Sequence, residues 1–244
     1  MRKLLFWGSL PFLIPQALYV RRTAPRYAAA ATPWSGETGT GRTMRLLGVG
    51  DSIIAGVGAS TMETALVGRT ALNLARILHC RIAWSAIGRS GANSNHIIDE
   101  QLPMLPEEPV DVFLLSLGVN DVTSLTRTRR WEANLRLLFE GLHAHSADAR
   151  IVFVGLPPLG GFPLLPQPLR AVLGTRARTL DASAEAVCAE YDHVLYVPVR
   201  FDPRPEKFAA DGYHPSEQSY GILGAEVAAA IAGDVADDRP GLQE

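Results

Sequence analysis

Short aliphatic runs alternate along this chain with longer stretches in which apolar residues recur every three to four positions. The aliphatic runs predict strands that are covered on both faces, at Arg45–Val49, Arg81–Ala86, Val110–Ser116, Arg150–Val154 and Val194–Val197. The periodic stretches predict helices at Thr64–His79, Asn95–Leu105, Trp131–His145, Leu169–Tyr191 and Pro215–Ala232. Such alternation is typical of parallel strands joined by helical crossovers, so we expect a three-layer α/β/α sandwich around a mostly parallel sheet of about five strands.

Two segments depart from this pattern. Residues 32–43, TPWSGETGTGRT, are rich in Gly and Thr and have no apolar period, which predicts a linker before a folded domain over residues 44–244. Residues 155–168, GLPPLGGFPLLPQP, contain five prolines between the fourth strand and the next helix. Long irregular connections of this kind are often functional in compact domains.

The first 31 residues differ from the rest of the chain. Seventeen uncharged, mostly apolar residues, Leu4–Val20, lie between Arg2-Lys3 and the arginine-containing stretch RRTAPR. The run is short for a membrane span, and the arginines after it are unlike a cleavage site. We expect an uncleaved membrane-associating segment; a signal peptide cut near Ala28–Ala31 and an apolar helix packed on the domain are alternatives. Positive charge on both flanks leaves the side of the membrane open, although we favour the extracytoplasmic side.

Charge and metal-binding residue types exclude several classes of function. Residues 1–43 hold six of the 23 Lys and Arg but one of the 25 Asp and Glu, so the remaining body is acidic, which argues against a nucleic-acid partner. Cys80 and Cys188 have no Cys-x-x-Cys spacing and are expected to be buried free thiols. His143 and His145 stand two positions apart in a helical stretch and face different sides. The sequence therefore predicts no metal and no cofactor.

The glycine-rich segment LLGVGDSIIAGVGAS, residues 46–60, allows two interpretations. A dinucleotide-binding loop needs a third glycine three positions after Gly50, where Ile53 stands, and an acidic residue at the end of the second strand, which is followed instead by IGRSGANS. A hydrolase instead needs a nucleophile at this turn, with a base, an orienting carboxylate and oxyanion donors at the same edge of the sheet. We favour the second interpretation, with Ser52 as the nucleophile.

The remaining chemistry lies in three further blocks. Asp211 and His214 stand in ADGYHPSEQSYG, just before the last predicted helix. Asn120 stands in LGVND after the third predicted strand, and Gly91 stands in GRSGANS after the second. Because the carboxyl ends of parallel strands meet at one edge of a sheet, these groups are expected to lie close to the serine.

The four blocks, in this order, resemble the SGNH/GDSL hydrolase superfamily, a set of esterases and lipases built on a flavodoxin-like sheet. They read GDS at residues 50–52, SGAN at 90–93, GVND at 118–121 and DGYHP at 211–215. The resemblance spans roughly residues 44–232 and leaves the first 43 outside it. The chain departs from many members at Ile53, where they have leucine after the serine.

The resemblance implies that Ser52 attacks an acyl ester and forms an acyl-enzyme intermediate. It implies that His214 acts as general base and then as general acid, with Asp211 orienting its imidazole. A serine hydroxyl is nearly inert at neutral pH, so a hydrogen-bonded imidazole has to remove its proton.

The same resemblance implies an oxyanion hole made of the backbone N–H groups of Ser52 and Gly91 and the side-chain amide of Asn120. Gly88, three residues before Gly91, is an alternative donor. Asp51 is assigned a role in geometry rather than in chemistry, and helix caps or turns are the alternative explanation for these polar residues.

The substrate class is less determined by the sequence. The apolar segment and an apolar cluster in the long loop, made of Phe162, Leu164 and Leu165, favour a lipid or a simple acyl ester. A carbohydrate O-acetyl esterase and a membrane-tethered, non-catalytic binding module of the same fold are the alternatives.

Overall fold

The protein is described by a computed structural model that covers residues 13, 15–20, 22, 27–200 and 203–238 of the 244. Within these residues one sheet contains the strands β1 (Ser35–Thr38), β2 (Thr43–Gly50), β3 (Arg81–Gly88), β4 (Val112–Ser116), β5 (Arg150–Val154) and β6 (Val194–Val197). The helices that position the site are α1 (Leu66–Leu78), α2 (Ser94–His96), α3 (Val119–Thr123), α4 (Thr128–His145), α5 (Leu169–Cys188) and α6 (Glu217–Asp238).

The strands lie in the order β1-β3-β2-β4-β5-β6, and every neighbouring pair is parallel except β1 with β3. The predicted mostly parallel, flavodoxin-like α/β sandwich is confirmed. The chain winds in opposite directions from β2 and β4, so the crevice beyond their carboxyl ends is a topological switch point. Ligands of open α/β sheets bind at such a point.

Helices cover both faces of the sheet. Alternate strand residues supply the two cores: Leu46 and Leu114 pack with residues of α1 and α6, whereas Leu47 and Phe113 pack with residues of α4 and α5. All five residues of β4 are buried, as expected for a central strand with helices on both sides. Packing on both faces fixes the carboxyl ends of β2 and β4 relative to each other.

The interpretation of residues 32–43 as a linker is wrong. Residues 35–38 form β1, an antiparallel edge strand in which Gly36 pairs with Trp84 of β3. A Cβ at Gly36 would lie 2.7 Å from the Trp84 ring, so glycine allows the strand to lie against the indole. Before it, Trp34 donates a hydrogen bond to the Ala30 carbonyl, and Ala30 is buried. A short, half-exposed edge strand needs no apolar alternation, which is why the sequence pattern missed it.

The helix predicted over Asn95–Leu105 is not one regular helix. The α2 turn continues into a π-helical turn, Ile97–Gln101, and then a 3-10 turn, Leu102–Met104. Pro103 lacks the N–H that a continuing α-helix would use, which favours the change of winding. The five-residue α3 was not predicted because it is too short to show a period.

Most of the predicted membrane-associating segment, residues 1–31, lies outside the described residues, and membrane association stays a prediction. Among the residues that are described, no helix is both long and apolar enough to cross a membrane. Leu13 is buried in the core on the α4–α5 side of the sheet, and Val20 packs against the same core.

The two cysteines are free thiols in different surroundings. Cys188 at the end of α5 is buried, as expected, and burial raises its pKa to about 12. Cys80 is only half-buried, because it lies in the turn between α1 and β3 rather than inside an element. Burial also raises the pKa of the Cys80 thiol.

Candidate active site

The turn after β2 holds Ser52 at the switch point of the sheet. The Asp51 N–H donates to the carbonyl oxygen of Ser116 at the end of β4, with 3.1 Å between N and O. Any Cβ at Gly50 would lie 2.0 Å from that same oxygen, so only glycine lets the two strand ends come this close. The buried amide of Gln101 binds both polar groups of Gly50, accepting from its N–H at 3.0 Å and donating to its carbonyl at 2.8 Å. Sequence reasoning missed Gln101.

The loop before α6 brings an imidazole to the serine. The Oγ of Ser52 lies 3.0 Å from Nε2 of His214, and Nδ1 of His214 lies 2.6 Å from Oδ2 of Asp211. The other carboxylate oxygen of Asp211 accepts the backbone N–H groups of Tyr213 and His214 at 2.8 and 2.9 Å. Gly212 has a φ of +65°, which lets the loop turn back tightly enough for one carboxylate to bind both groups. The three predicted side chains therefore form one hydrogen-bonded chain.

The charge of Asp211 favours a proton on Nδ1 of the His214 ring, which Asp211 contacts. Burial by itself raises the pKa of this carboxyl, but the hydrogen bonds from the His214 ring and from two backbone N–H groups outweigh it, so the pKa is lowered. An ionised Asp211 accepts the Nδ1 proton of His214. In the neutral tautomer with its proton on Nδ1, the Nε2 atom faces the hydroxyl of Ser52 as an acceptor.

Asn120 lies at the start of α3, after β4. Its Nδ2 donates to the Ala92 carbonyl at 2.9 Å and lies 3.4 Å from Oδ2 of Asp51. Gly118, two residues after β4, is the N-cap of α3 and has a φ of +122°, which favours glycine at this turn. These contacts orient the amide toward the turn that carries Ser52.

The backbone around Gly91 differs from that around Gly88. Gly91 lies in the turn after β3 with a φ of +80°, and a Cβ there would meet nothing within 4 Å. Gly88 is the last residue of β3, is paired with Gly50, and packs so closely that a Cβ would lie 2.4 Å from the Ala55 nitrogen. In the part of the chain that the structure describes, the N–H groups of Ser52 and Gly91 donate to no protein acceptor.

Two further buried carboxyl groups stand at this edge. Asp51 accepts the Ile53 N–H, and burial raises its pKa to about 7. Asp121 accepts both the hydroxyl and the N–H of Ser94 at the start of α2, and burial raises the pKa of this carboxyl too. Asp51 therefore has a turn-forming contact, the alternative given for it from the sequence, and it also contacts the Asn120 amide. Asp121 lies within α3 and binds the start of α2 instead.

A small, mainly apolar pocket opens beside Ser52 and His214, with a cavity volume of about 50 Å³. Its apolar walls include Ile53, Val119, Val154, Phe162, Val199 and Leu223. Of the loop residues expected to cover an acyl chain, Phe162 lines the pocket, whereas Leu165 is buried in the core and Leu164 lies outside the lining. The long loop thus contributes one aromatic wall.

Comparisons with known proteins identify a family and a relative. The GDSL-like Lipase/Acylhydrolase family matches residues 49–222. The GDSL-like esterase Rv1075c of Mycobacterium tuberculosis is 30% identical over 241 residues, covering 89% of this chain and 74% of that protein.

Solved structures share the fold. The lipase/acylhydrolase from Enterococcus faecalis has a TM-score of 0.55 at 21% identity, covering 78% of this chain and 96% of that chain. The Clostridium thermocellum family 3 carbohydrate esterase has a TM-score of 0.61 at 19% identity, covering 83% of this chain and 100% of that chain. Sheet, site geometry and family match lead to one conclusion: the chain belongs to the GDSL-like lipase/acylhydrolase family and is a carboxylic ester hydrolase.

Proposed function

We propose that the protein hydrolyses esters with short acyl groups through an acyl-enzyme intermediate on Ser52. The observation that carries this proposal is the continuous hydrogen-bonded chain from Ser52 through His214 to Asp211, which opens on a small apolar pocket. A nucleophile, a base and an orienting carboxylate in this arrangement are what acyl transfer requires.

In the acylation step, the Ser52 oxygen attacks the ester carbonyl while Nε2 of His214 takes the hydroxyl proton. The imidazolium that forms is stabilised by the ionised Asp211 through Nδ1. His214 then gives its proton to the departing alcohol, and the acyl group stays on Ser52. In the second step His214 takes a proton from water, the water oxygen attacks the acyl carbon, and the proton returns to Ser52 as the acid leaves.

The oxygen of the tetrahedral intermediate carries the negative charge that has to be stabilised. We assign the backbone N–H groups of Ser52 and Gly91 and the amide of Asn120 to this charge. The N–H groups of Ser52 and Gly91 donate to no protein acceptor among the described residues, and the space beside Gly91 is open. Both observations support Gly91 rather than Gly88 as the second backbone donor. One such donor typically contributes about 3–4 kcal/mol to lowering the barrier.

The size of the pocket supports a short acyl group. A water-sized group needs about 10–15 Å³ of cavity volume, so about 50 Å³ accommodates a few heavy atoms. Acetyl and other short acyl chains fit this volume, and the Phe162 ring is one of the walls that a longer chain would meet. The same observation favours a second candidate, an O-acetyl esterase acting on carbohydrates.

A fluorophosphonate probe separates an esterase from a non-catalytic binding module. We expect the probe to label the wild-type protein and to fail on the Ser52→Ala and His214→Ala variants, both of which remain folded by circular dichroism. Asp211→Asn is expected to be less severe than His214→Ala, because the base remains but is poorly oriented. Wild-type turnover in a folded Ser52→Ala preparation would exclude the assignment.

The substrate class is tested with p-nitrophenyl esters of increasing chain length and with acetylated xylan. A simple short-chain esterase is expected to be most active on the acetate and butyrate esters and inactive on the polysaccharide. Release of acetate from the polysaccharide would favour the second candidate. Highest activity on long-chain esters would contradict the assignment of a short acyl group.

A further inference from the structure

The long loop between β5 and α5 is held by residues from the start of the chain. The Gln16 side chain donates from Nε2 to the Gln167 carbonyl at 3.1 Å and accepts the Leu169 N–H at Oε1 at 3.3 Å. Leu169 is the first residue of α5, and the residue before it, Pro168, offers no side-chain cap. Gln16 thus satisfies a backbone group that a helix leaves unpaired at its N-terminus.

Apolar packing supports the same contact. Leu13 is 3% exposed and belongs to the core that also contains Phe162, Leu165 and Leu169. By contrast, Leu18 of the same segment is 45% exposed. The segment therefore presents one side to the loop and another to solvent.

The loop connects this contact to the proposed catalytic residues. The Phe162 ring packs edge-to-face on Tyr213, with 5.3 Å between ring centroids, and Tyr213 directly precedes His214. The Leu164 N–H donates to the Gly212 carbonyl at 3.2 Å, between Asp211 and Tyr213 in the chain. The apolar wall of the pocket and the histidine loop are therefore one packed unit, and the N-terminal segment holds its outer end.

We propose that Leu13 and Gln16 are positioning residues that hold the Phe162 loop closed and thereby restrict the enzyme to short acyl groups. This inference rests on the proposed function, because it assigns Phe162 to the acyl side of the ester. It agrees with the alternative that this apolar segment is a helix packed on the domain. We call the contacts of Leu13 and Gln16 the brace. Loosening the brace lets the Phe162 ring move and admits longer acyl chains.

The first test measures acyl selectivity in the full chain, as the ratio of kcat/KM for p-nitrophenyl hexanoate to that for the acetate. We expect Gln16→Ala to raise this ratio about fivefold, the effect of losing roughly one hydrogen bond's stabilisation of the closed loop. Leu13→Ala removes buried apolar packing instead and is expected to raise the ratio by at least as much. Phe162→Ala is expected to change the ratio in the same direction. The matched control, Leu18→Ala, removes the same atoms from an exposed position and is expected to leave the ratio unchanged.

The second test measures hydrogen exchange of a peptide covering residues 159–170 and needs no activity. Faster exchange in Leu13→Ala and Gln16→Ala, with wild-type exchange in Leu18→Ala, supports the brace. Unchanged exchange in both variants overturns the brace, and faster exchange with an unchanged selectivity ratio overturns its role in specificity. Equal effects of Leu13→Ala and Leu18→Ala also overturn the proposal. If the wild type neither reacts with the fluorophosphonate nor cleaves any ester, the proposed function fails, and the exchange result alone decides whether the brace exists.

Discussion

Burial raises and hydrogen bonding lowers the pKa of the carboxyl groups at the sheet edge that holds Ser52. Asp211 receives three hydrogen bonds and keeps a lowered pKa, whereas Asp51 receives fewer and has its pKa raised to about 7. The first is ionised at neutral pH and lies against Nδ1 of His214. The second is protonated in the folded protein at a pH where it would be ionised in the unfolded chain.

This difference makes Asp51 a source of pH-dependent stability. Between pH 3.8 and about 7 the folded state binds a proton that the unfolded state has lost, so Asp51 lowers the free energy of unfolding as the pH rises through this window. In the Asp51→Asn variant this dependence is absent. We expect the variant to gain stability relative to wild type between pH 4 and 7, by at most about 4 kcal/mol at about 1.4 kcal/mol per pKa unit, with no further gain above pH 7.

Urea unfolding at several pH values between 4 and 8 measures this difference. A lost or strained contact in the variant adds an offset that does not depend on pH, so the slope is the diagnostic quantity. Asp148→Asn, at an exposed position, serves as the matched control. A stability difference that stays flat across the window would show that Asp51 titrates alike in both states.

A variant of Asn120 tests whether its amide stabilises the transition state or binds the substrate in the ground state. Its amide is held by the Ala92 carbonyl and by Asp51, and it is assigned to charge that develops only during the reaction. Asn120→Ala is therefore expected to lower kcat by about 10²-fold or more with KM within a few fold of wild type. Steady-state kinetics on p-nitrophenyl acetate measure both constants, with Asn73→Ala on α1 as the control. A change confined to KM would mean that Asn120 binds substrate instead.

At the scale of the elements, the turn that carries Ser52 depends on the helical segment after β3. Gln101 from its π-helical turn binds both the N–H and the carbonyl of Gly50 and is itself buried. Gln101→Ala leaves Gly50 polar groups buried without this partner, so we expect the free energy of unfolding to fall by about 1–3 kcal/mol. Because the turn that carries Ser52 follows immediately, kcat should fall as well.

Urea unfolding and ester hydrolysis are measured together on this variant. Gln218→Ala, at an exposed position on α6, is the comparison and should change neither quantity. If Gln101→Ala is as stable and as active as wild type, the two hydrogen bonds between Gln101 and Gly50 do not position Ser52.

At the scale of the whole molecule, the fold begins earlier than the apolar pattern suggests. A chain starting at residue 41 lacks β1, Trp34 and Ala30, which exposes the β3 edge and the Trp84 ring. We expect its Tm to fall by about 10 °C or more, since about 1 kcal/mol corresponds to about 2–4 °C in a domain of this size. A chain starting at residue 27 keeps these contacts and should retain most of the Tm, while losing the Leu13 and Gln16 brace.

Thermal unfolding of the two shortened chains beside the full chain measures these effects. The fluorophosphonate probe is expected to label the chain that starts at residue 27, because Ser52, His214 and Asp211 all follow that point. Equal Tm values for the starts at residues 27 and 41 would show that β1 adds nothing to the stability of the sheet.

The sequence by itself determined the parallel α/β sheet and the positions of Ser52, Asn120, Asp211 and His214 in the chain. Both rest on local properties: the parallel strands are continuous aliphatic runs, and the candidate catalytic side chains lie in short blocks next to predicted elements. The order of those blocks was enough to imply one sheet edge, because parallel strands bring their carboxyl ends together.

Three features became visible only in the tertiary structure: the strand β1, the hydrogen bonds of Gln101 with Gly50, and the contact of Gln16 with the loop before α5. Gln101 binds a residue 51 positions earlier, and Gln16 binds backbone groups more than 150 positions later. A glutamine side chain carries no periodic signal, and its partners are backbone groups that any residue offers. Contacts of this kind form only when packing brings distant segments together, so the sequence pattern does not predict them.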